Sequence, residues 1–197
     1  MIPNHRDIEY LFEIASLRNQ ARGWTQQTGM KCASVLEHTV RVMLLALLLA
    51  RKEGVKNEEK IMKMVLVHDL AEARVSDLGY IQKVYVKADE KKAAQDMYAG
   101  TNFKDLEDIL EEYEKRDCPE AKIVKDADNL DVDFEMKELE EMGSQLPRKW
   151  QKFRKIIREK KFYTAAAKEL WDFLQDKDPA DWHTSANKWL KIENAGL

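Results

Sequence analysis

The sequence predicts an all-α protein, a single-domain helical bundle, on three observations. Glycine and proline are scarce, seven and four in 197 residues, so few positions force the chain to turn. Apolar residues recur at spacings of three and four, the period of an amphipathic helix, and strand-like alternation is absent. No repeat, low-complexity tract or long linker divides the chain, and its length suits one substantial domain.

Taken in order, Ile8, Leu11, Phe12 and Ala15 share one face and predict a first amphipathic helix. From Ser34 to about Glu53 the pattern is apolar almost all round, as for a helix buried inside a bundle, and Gly54 suits its C-terminal stop. Asn57, Glu58 and Glu59 supply an N-cap and an acidic first turn for a third helix carrying Ile61, Met64, Val65 and His68. Ser76-Asp77-Leu78-Gly79-Tyr80 reads as a loop. Further helices are predicted over 87–98, 104–116, 119–142, 148–160, 162–175 and 179–193, with Pro119 and Pro179 in first turns.

Composition excludes several classes. Hydrophobic residues, 44% of the chain, are ample for a buried core, whereas a net charge of −3 gives no global drive toward nucleic acid or anionic membrane. The longest apolar run, Val42 to Ala50, is far short of the ~20 residues of a spanning helix, so no membrane partner is expected. The polar N-terminus lacks a signal-peptide apolar core, and Cys32 and Cys118 form neither a C-x-x-C motif nor a disulfide framework. A soluble cytoplasmic protein is expected. The segment Arg148 to Lys161 sets eight basic residues against Glu159, with Trp150 and Phe153 interleaved. It suits either nucleic-acid contact or a solvated helix whose Trp150, Phe153, Ile156 and Ile157 pack inward against acidic neighbours. Without a second basic patch, polymeric nucleic acid is not an expected partner. The excess of Leu and Met over 42–50 serves a core, and it also suits a helix-to-helix interface, so a homodimer is expected.

Three segments set polar groups in apolar helical contexts: Glu37-His38-Thr39, His68-Asp69 with Glu72, and Lys125-Asp126-Ala127-Asp128-Asn129-Leu130-Asp131. Burying such groups is costly unless something satisfies them, and a metal ion does so. Each piece also has a structural reading, as a satisfied core histidine or as an aspartate that caps, pairs with Lys125 or faces water. Together, two His and two Asp form a mixed nitrogen and oxygen donor set suited to a divalent cation. Asp126 and Asp131 fit either a second metal or a capping, solvated or pocket role.

The order His38, His68-Asp69, Asp128, with Glu37-His38-Thr39, His68-Asp69-Leu70-Ala71-Glu72, Asp77-Leu78 and Lys125-Asp126-Ala127-Asp128, resembles the HD-domain metal-dependent phosphohydrolases, in the branch of the 5′-deoxynucleotidases. The resemblance covers roughly residues 8–142. It implies an HD-type bundle over 1–197, with a metal-binding core at about 30–142 and C-terminal helices 148–193 packed on it. It implies that His38, His68, Asp69 and Asp128 hold one divalent metal, with Mn, Co, Fe, Mg, Ni and Zn all compatible with the donors. It gives Glu72 and Asp77 catalytic roles near the reacting phosphate, and Arg22 the role of orienting a phosphate group. The family often places Trp directly after this Arg; here Gly23 intervenes, and Trp24 is given no role.

The implied reaction is hydrolysis of a (deoxy)nucleoside 5′-monophosphate by a metal-activated water, whose pKa a metal lowers from ~15.7 to roughly 7. A guanidinium receives phosphate oxygens bidentately, and a nearby carboxyl protonates the departing oxygen. Two alternatives stay open: cleavage of a nucleoside triphosphate or phosphodiester on the same metal, and a non-catalytic nucleotide-binding module.

Overall fold

A computed structural model describes residue 2 and residues 4–184, and all its regular elements are helical; among the described residues there is no β-strand. The chain forms α1 (His5–Ala15), a 3₁₀ turn (Ser16–Asn19), α2 (Thr25–Thr28), α3 (Val35–Glu53) and α4 (Glu58–Val67). Then come α5 (Glu72–Val75), α6 (Gln82–Tyr85), α7 (Glu90–Tyr98), α8 (Asp105–Lys115) and α9 (Pro119–Glu141). Last are α10 (Leu146–Lys161), α11 (Ala165–Leu174) and α12 (Asp181–Thr184).

Local chemistry sets the ends of the helices that matter for the site. Ser34 and Glu37 form a reciprocal capping box that starts α3, and Gly54 stops it at φ 73°, a conformation costly for any residue with a Cβ. Asn57 caps α4 by accepting from Lys60 N, and Pro119 opens α9 where its missing N–H is no loss. The long helices α3 and α9 lie against each other, with α4 packed on both and α11 closing the far side. Their apolar faces merge in a core built on Val42, Leu45, Leu49, Ile61, Met64, Ile123, Val124 and Leu130. Each such side chain contributes about 1.5–3 kcal/mol by leaving water. A second cluster, around Tyr10, Leu17, Val35, Val67, Met97 and Tyr98, joins α1, α4 and α7.

The structure departs from the sequence expectations in four places, α1, α3, α4 and α10. The predicted inner face of α1 points outward: Ile8, Leu11 and Phe12 are exposed, while Asp7 and Tyr10 are buried. Tyr10 stacks against Tyr98 and Phe103 at 5.6 and 5.2 Å, and Asp7 Oδ1 accepts from Asn102 N at 2.7 Å; these contacts set the rotation of the helix. Helix α3 is not buried all round, because Val40, Leu44 and Leu48 are 61%, 66% and 45% exposed. Helix α4 ends at Val67, and His68–Ala71 form a tight turn with hydrogen bonds such as Glu72 N to Asp69 O at 3.0 Å. On α10, Phe153 and Ile156 are exposed rather than packed inward, while Arg154 and Arg148 pair with Asp133 and Glu140 of α9. The helix expected over 179–193 is seen only as α12, and residues 185–197 lie outside the described residues.

No helix among the described residues is long and apolar enough to cross a membrane. Cys32 and Cys118 are both unpaired.

Candidate metal centre

Two long helices, α3 and α9, and the turn that ends α4 bring four candidate ligands to one point. His38 sits in the first turns of α3, His68 at the C-terminal end of α4, Asp69 in the turn that follows, and Asp128 in the middle of α9. One donor atom from each lies within 4.8 Å of all the others. His38 Nε2 is 3.2 Å from His68 Nε2, and 3.4 Å from both Asp69 Oδ2 and Asp128 Oδ1. Such spacings are those of neighbouring donors around one ion with bonds of ~2.0–2.2 Å.

Hydrogen bonds on the far side of each ring fix which nitrogen faces the cluster. His68 Nδ1 lies 2.7 Å from Val65 O, a carbonyl that can only accept, so Nδ1 donates and Nε2 is the nitrogen that faces the cluster. His38 Nδ1 lies 2.6 Å from Asp131 Oδ2 and donates to it in the same way. The two Nε2 atoms, 3.2 Å apart, cannot bond to one another without a proton or a cation between them. One proton joins that pair alone, whereas a divalent cation can take both nitrogens and both carboxylates as donors. The donor set therefore fits a metal.

Without a cation, the carboxylates hold a proton on His38 instead. Burial alone would lower the His38 pKa, but hydrogen bonds to Asp128, Asp131 and Asp69 outweigh it and hold the ring well above its ordinary value. Burial opposes the charge on Asp69, yet His68, His38 and Arg22 keep its carboxyl well below the usual range. Lys125 and His38 do the same for Asp128 against its own burial, and Lys125 Nζ reaches Asp128 Oδ2 at 2.7 Å. Asp131 also pairs with Arg41.

Arg22 lies over this cluster. The antiparallel bridge between Ala21 and Ser34, with Arg22 N donating to Ala33 O at 3.1 Å, holds its segment against the start of α3. Its Nη1 is 3.0 Å from Asp69 Oδ2, its Nε 3.3 Å from Asp77 Oδ2 and its Nη2 4.0 Å from Asp128 Oδ1. Gly23 N donates to Asp77 Oδ2 at 3.0 Å. A Cβ on Gly23 would stand 2.7 Å from Gly79 N and 2.9 Å from Asp77 O, so the residue between Arg22 and Trp24 is the point where two site loops touch backbone to backbone. Glu72, at the start of α5, has a buried Oε2 with no hydrogen-bond partner among the described residues. Burial first, then Asp69 and Asp77, push its carboxyl up to about 9.

Every sequence-predicted site residue thus falls in one neighbourhood, although Glu72 reaches it from a separate helix and not from one turn further along α4. Asp126 does not join them. It accepts from Tyr163 N, Thr164 N and Thr164 Oγ1 at 2.7–2.8 Å, a structural clasp between α9 and the start of α11. Sequence reasoning gave no role to Arg41, Glu135 or Trp24. Glu135 accepts from Trp24 Nε1 at 2.9 Å and Ala33 N at 2.5 Å, and the Arg22 guanidinium lies 4.7 Å over the Trp24 ring. The available signal was the acidic column Asp128, Asp131 and Glu135, spaced three and four apart on an otherwise packed helix face.

A helical bundle with a His, His-Asp, Asp centre drawn from three helices defines a class of metal-dependent hydrolase folds. The chain belongs to the HD domain family, whose profile matches residues 14–171. A Danio rerio protein named 5′-deoxynucleotidase HDDC2 is 30% identical over 142 residues, covering 68% of this chain and 70% of that one. A conserved hypothetical protein from Pyrococcus furiosus superposes with a TM-score of 0.72 at 26% identity, covering 85% of this chain and 98% of that one. The fold is shared as well with the cyanophage S-2L HD phosphohydrolase DatZ, solved bound to dA and one catalytic Zn2+ ion. There the TM-score is 0.54 at 19% identity, over 82% of this chain and 91% of that one.

Proposed function

We propose that this protein is a metal-dependent phosphomonoesterase that hydrolyses a (deoxy)nucleoside 5′-monophosphate to nucleoside and inorganic phosphate. The observation that carries the reading is the pair of imidazole Nε2 atoms facing each other beside two carboxylates, with a guanidinium immediately above. The 5′-deoxynucleotidase name of its 30% identical relative supports the choice of substrate.

His38, His68, Asp69 and Asp128 would hold one divalent cation, which when bound supplies an acidified water and positive charge for the phosphoryl oxygens. With Asp69 and Asp128 engaged as ligands, the Nη edge of Arg22 is available to two phosphate oxygens while its Nε stays on Asp77. Asp77 also holds Gly23 N–H, so it orients the arginine and ties together the two loops that frame the substrate. Glu72 is the proton donor: its carboxyl, raised to about 9, is protonated at neutral pH. As water oxygen bonds to phosphorus and the bond from phosphorus to the 5′-oxygen breaks, the Glu72 proton passes to that departing oxygen. The loop after Asp77 carries Tyr80, exposed and edge-on to Trp150 at 6.0 Å, an aromatic surface suited to a nucleobase.

The whole chain is read as one catalytic unit acting as a cytoplasmic homodimer. Its unpaired cysteines support the compartment, and the exposed apolar residues of α3 support the dimer.

The test is phosphate release from ribo- and 2′-deoxynucleoside 5′-monophosphates, using protein stripped of metal and reloaded with Mn, Co, Mg or Zn. Metal-dependent turnover that disappears in His68→Ala is expected. Bound metal with no turnover of any monophosphate would overturn the reading.

A further inference from the structure

Three of the four candidate ligands have their outward atom held by a neighbour. His68 Nδ1 is on Val65 O, His38 Nδ1 on Asp131 Oδ2, and Asp128 Oδ2 on Lys125 Nζ at 2.7 Å. The first two ties choose which nitrogen an imidazole presents. The third has a different consequence, because a carboxylate has two equivalent oxygens and can give an ion either one or both. In Asp128 the two are already told apart. Oδ1 faces the cluster, 3.4 Å from His38 Nε2 and 4.0 Å from Arg22 Nη2, while Oδ2 turns to Lys125. Lys125 stands one turn before Asp128 on α9, and its side chain is 36% exposed against 13% for Asp128, so the ammonium reaches Oδ2 from the more open side. It makes no other hydrogen bond or ion pair among the described residues. At this spacing such a pair adds little to a helix, so its consequence lies at the centre.

We infer that Lys125 is a positioning residue, which holds Oδ2 so that Asp128 offers the ion Oδ1 alone. The inference rests on the proposed role of Asp128 as a metal ligand. Divalent ions such as Mg and Mn accept about six donors. One atom each from His38, His68, Asp69 and Asp128 leaves room for a water and a phosphate oxygen. A second oxygen from Asp128 would fill one of those places. Lysine suits this task better than arginine. An ammonium is a compact charge that sits on one oxygen, whereas a guanidinium fork matches both oxygens of a carboxylate and would take Oδ1 from the ion.

The test compares wild type with Lys125→Met, which keeps the apolar stem and removes the charge, and with Lys125→Gln, which is shorter and uncharged. Each is stripped of metal and loaded with Mn2+, and far-UV circular dichroism checks the fold. Water proton relaxation then counts the water molecules on the ion, with no substrate present. Both variants should carry one fewer than wild type, because Oδ2 is free to join Oδ1. Mn2+ should bind them about 10-fold tighter by chelator competition, since a neighbouring positive charge is gone and Asp128 gives two atoms. The kcat for monophosphate release should fall about 10–100-fold, with KM little changed. An unchanged water count overturns the inference. So does weaker Mn2+ binding, which would make Lys125 a prop of the whole cluster. A raised KM at unchanged kcat overturns it as well, and would make Lys125 a phosphate ligand. The water count and the affinity need no turnover. A wild type silent on every monophosphate therefore overturns the proposed reaction, while those two readings still decide the role of Lys125.

Discussion

Asp131 Oδ2 accepts a hydrogen bond from His38 Nδ1 at 2.6 Å, and that bond aims the opposite nitrogen at the candidate metal cluster. Asp131 is therefore worth more to the centre than its absence from the ligand set suggests. Replacing it by Ala frees the ring to rotate and to change tautomer. Metal affinity is expected to fall about 10–100-fold, measured by competition with a chromogenic chelator.

Glu72→Gln keeps the shape of the site and removes the proton. The expected loss is about 10²–10⁴ in kcat with metal content unchanged. Because Glu72 must be protonated to act, wild-type activity should decline on the alkaline side as that carboxyl ionises. Its elevation to about 9 gives a stability signature in metal-free protein. The folded state holds a proton that the unfolded carboxyl, at about 4.5, has released, so stability should fall as pH rises between these values. Thermal unfolding of wild type and Glu72→Gln across that range checks both signs.

Metal binding should release protons. His38 is held well above its ordinary value in the metal-free cluster, so it must give up a proton before its Nε2 can become a ligand. Affinity is expected to weaken steadily as pH falls. Calorimetric titration in buffers of different ionisation enthalpy counts the protons directly, and a count of zero would contradict a protonated His38 in the metal-free cluster.

Arg22→Lys preserves charge but loses the planar fork. A drop of about 10–100-fold in kcat/KM is expected, from hydrogen bonds to a charged phosphate that a lysine cannot make in pairs. Steady-state kinetics with metal saturating separates this from any loss of metal.

Asp126→Ala cuts three hydrogen bonds at the start of α11 and touches no ligand of the centre. It should cost roughly 2–4 kcal/mol of stability, seen in denaturant unfolding, with metal affinity unchanged. A change in metal stoichiometry would instead revive a second metal site at Asp126.

Local pattern carried the helices because capping residues and apolar period are written within one segment. Ser34 with Glu37, Asn57, Gly54 and Pro119 each mark the helix end at which the structure uses them. Pattern failed where two segments had to be placed against each other. Ile8, Leu11 and Phe12 form a good apolar face, but Tyr10 found Tyr98 and Phe103 and turned the helix the other way. The all-apolar look of α3 concealed a stripe, Val40, Leu44 and Leu48, that stays exposed among the described residues.

For the site, the sequence by itself marked the candidate ligands and their order, because His38, His68-Asp69 and Asp128 are polar groups that helices rich in Val, Leu and Met would otherwise bury at a cost. Only the tertiary structure decided that Asp131 orients His38, that Asp126 clasps a helix start, and that Gly23 lets Arg22 and Asp77 meet. These are distances between residues 37–93 positions apart in the chain, or approaches of bare backbone, and both depend on how α3, α4 and α9 pack. A sequence records which groups need a partner, and packing chooses the partner.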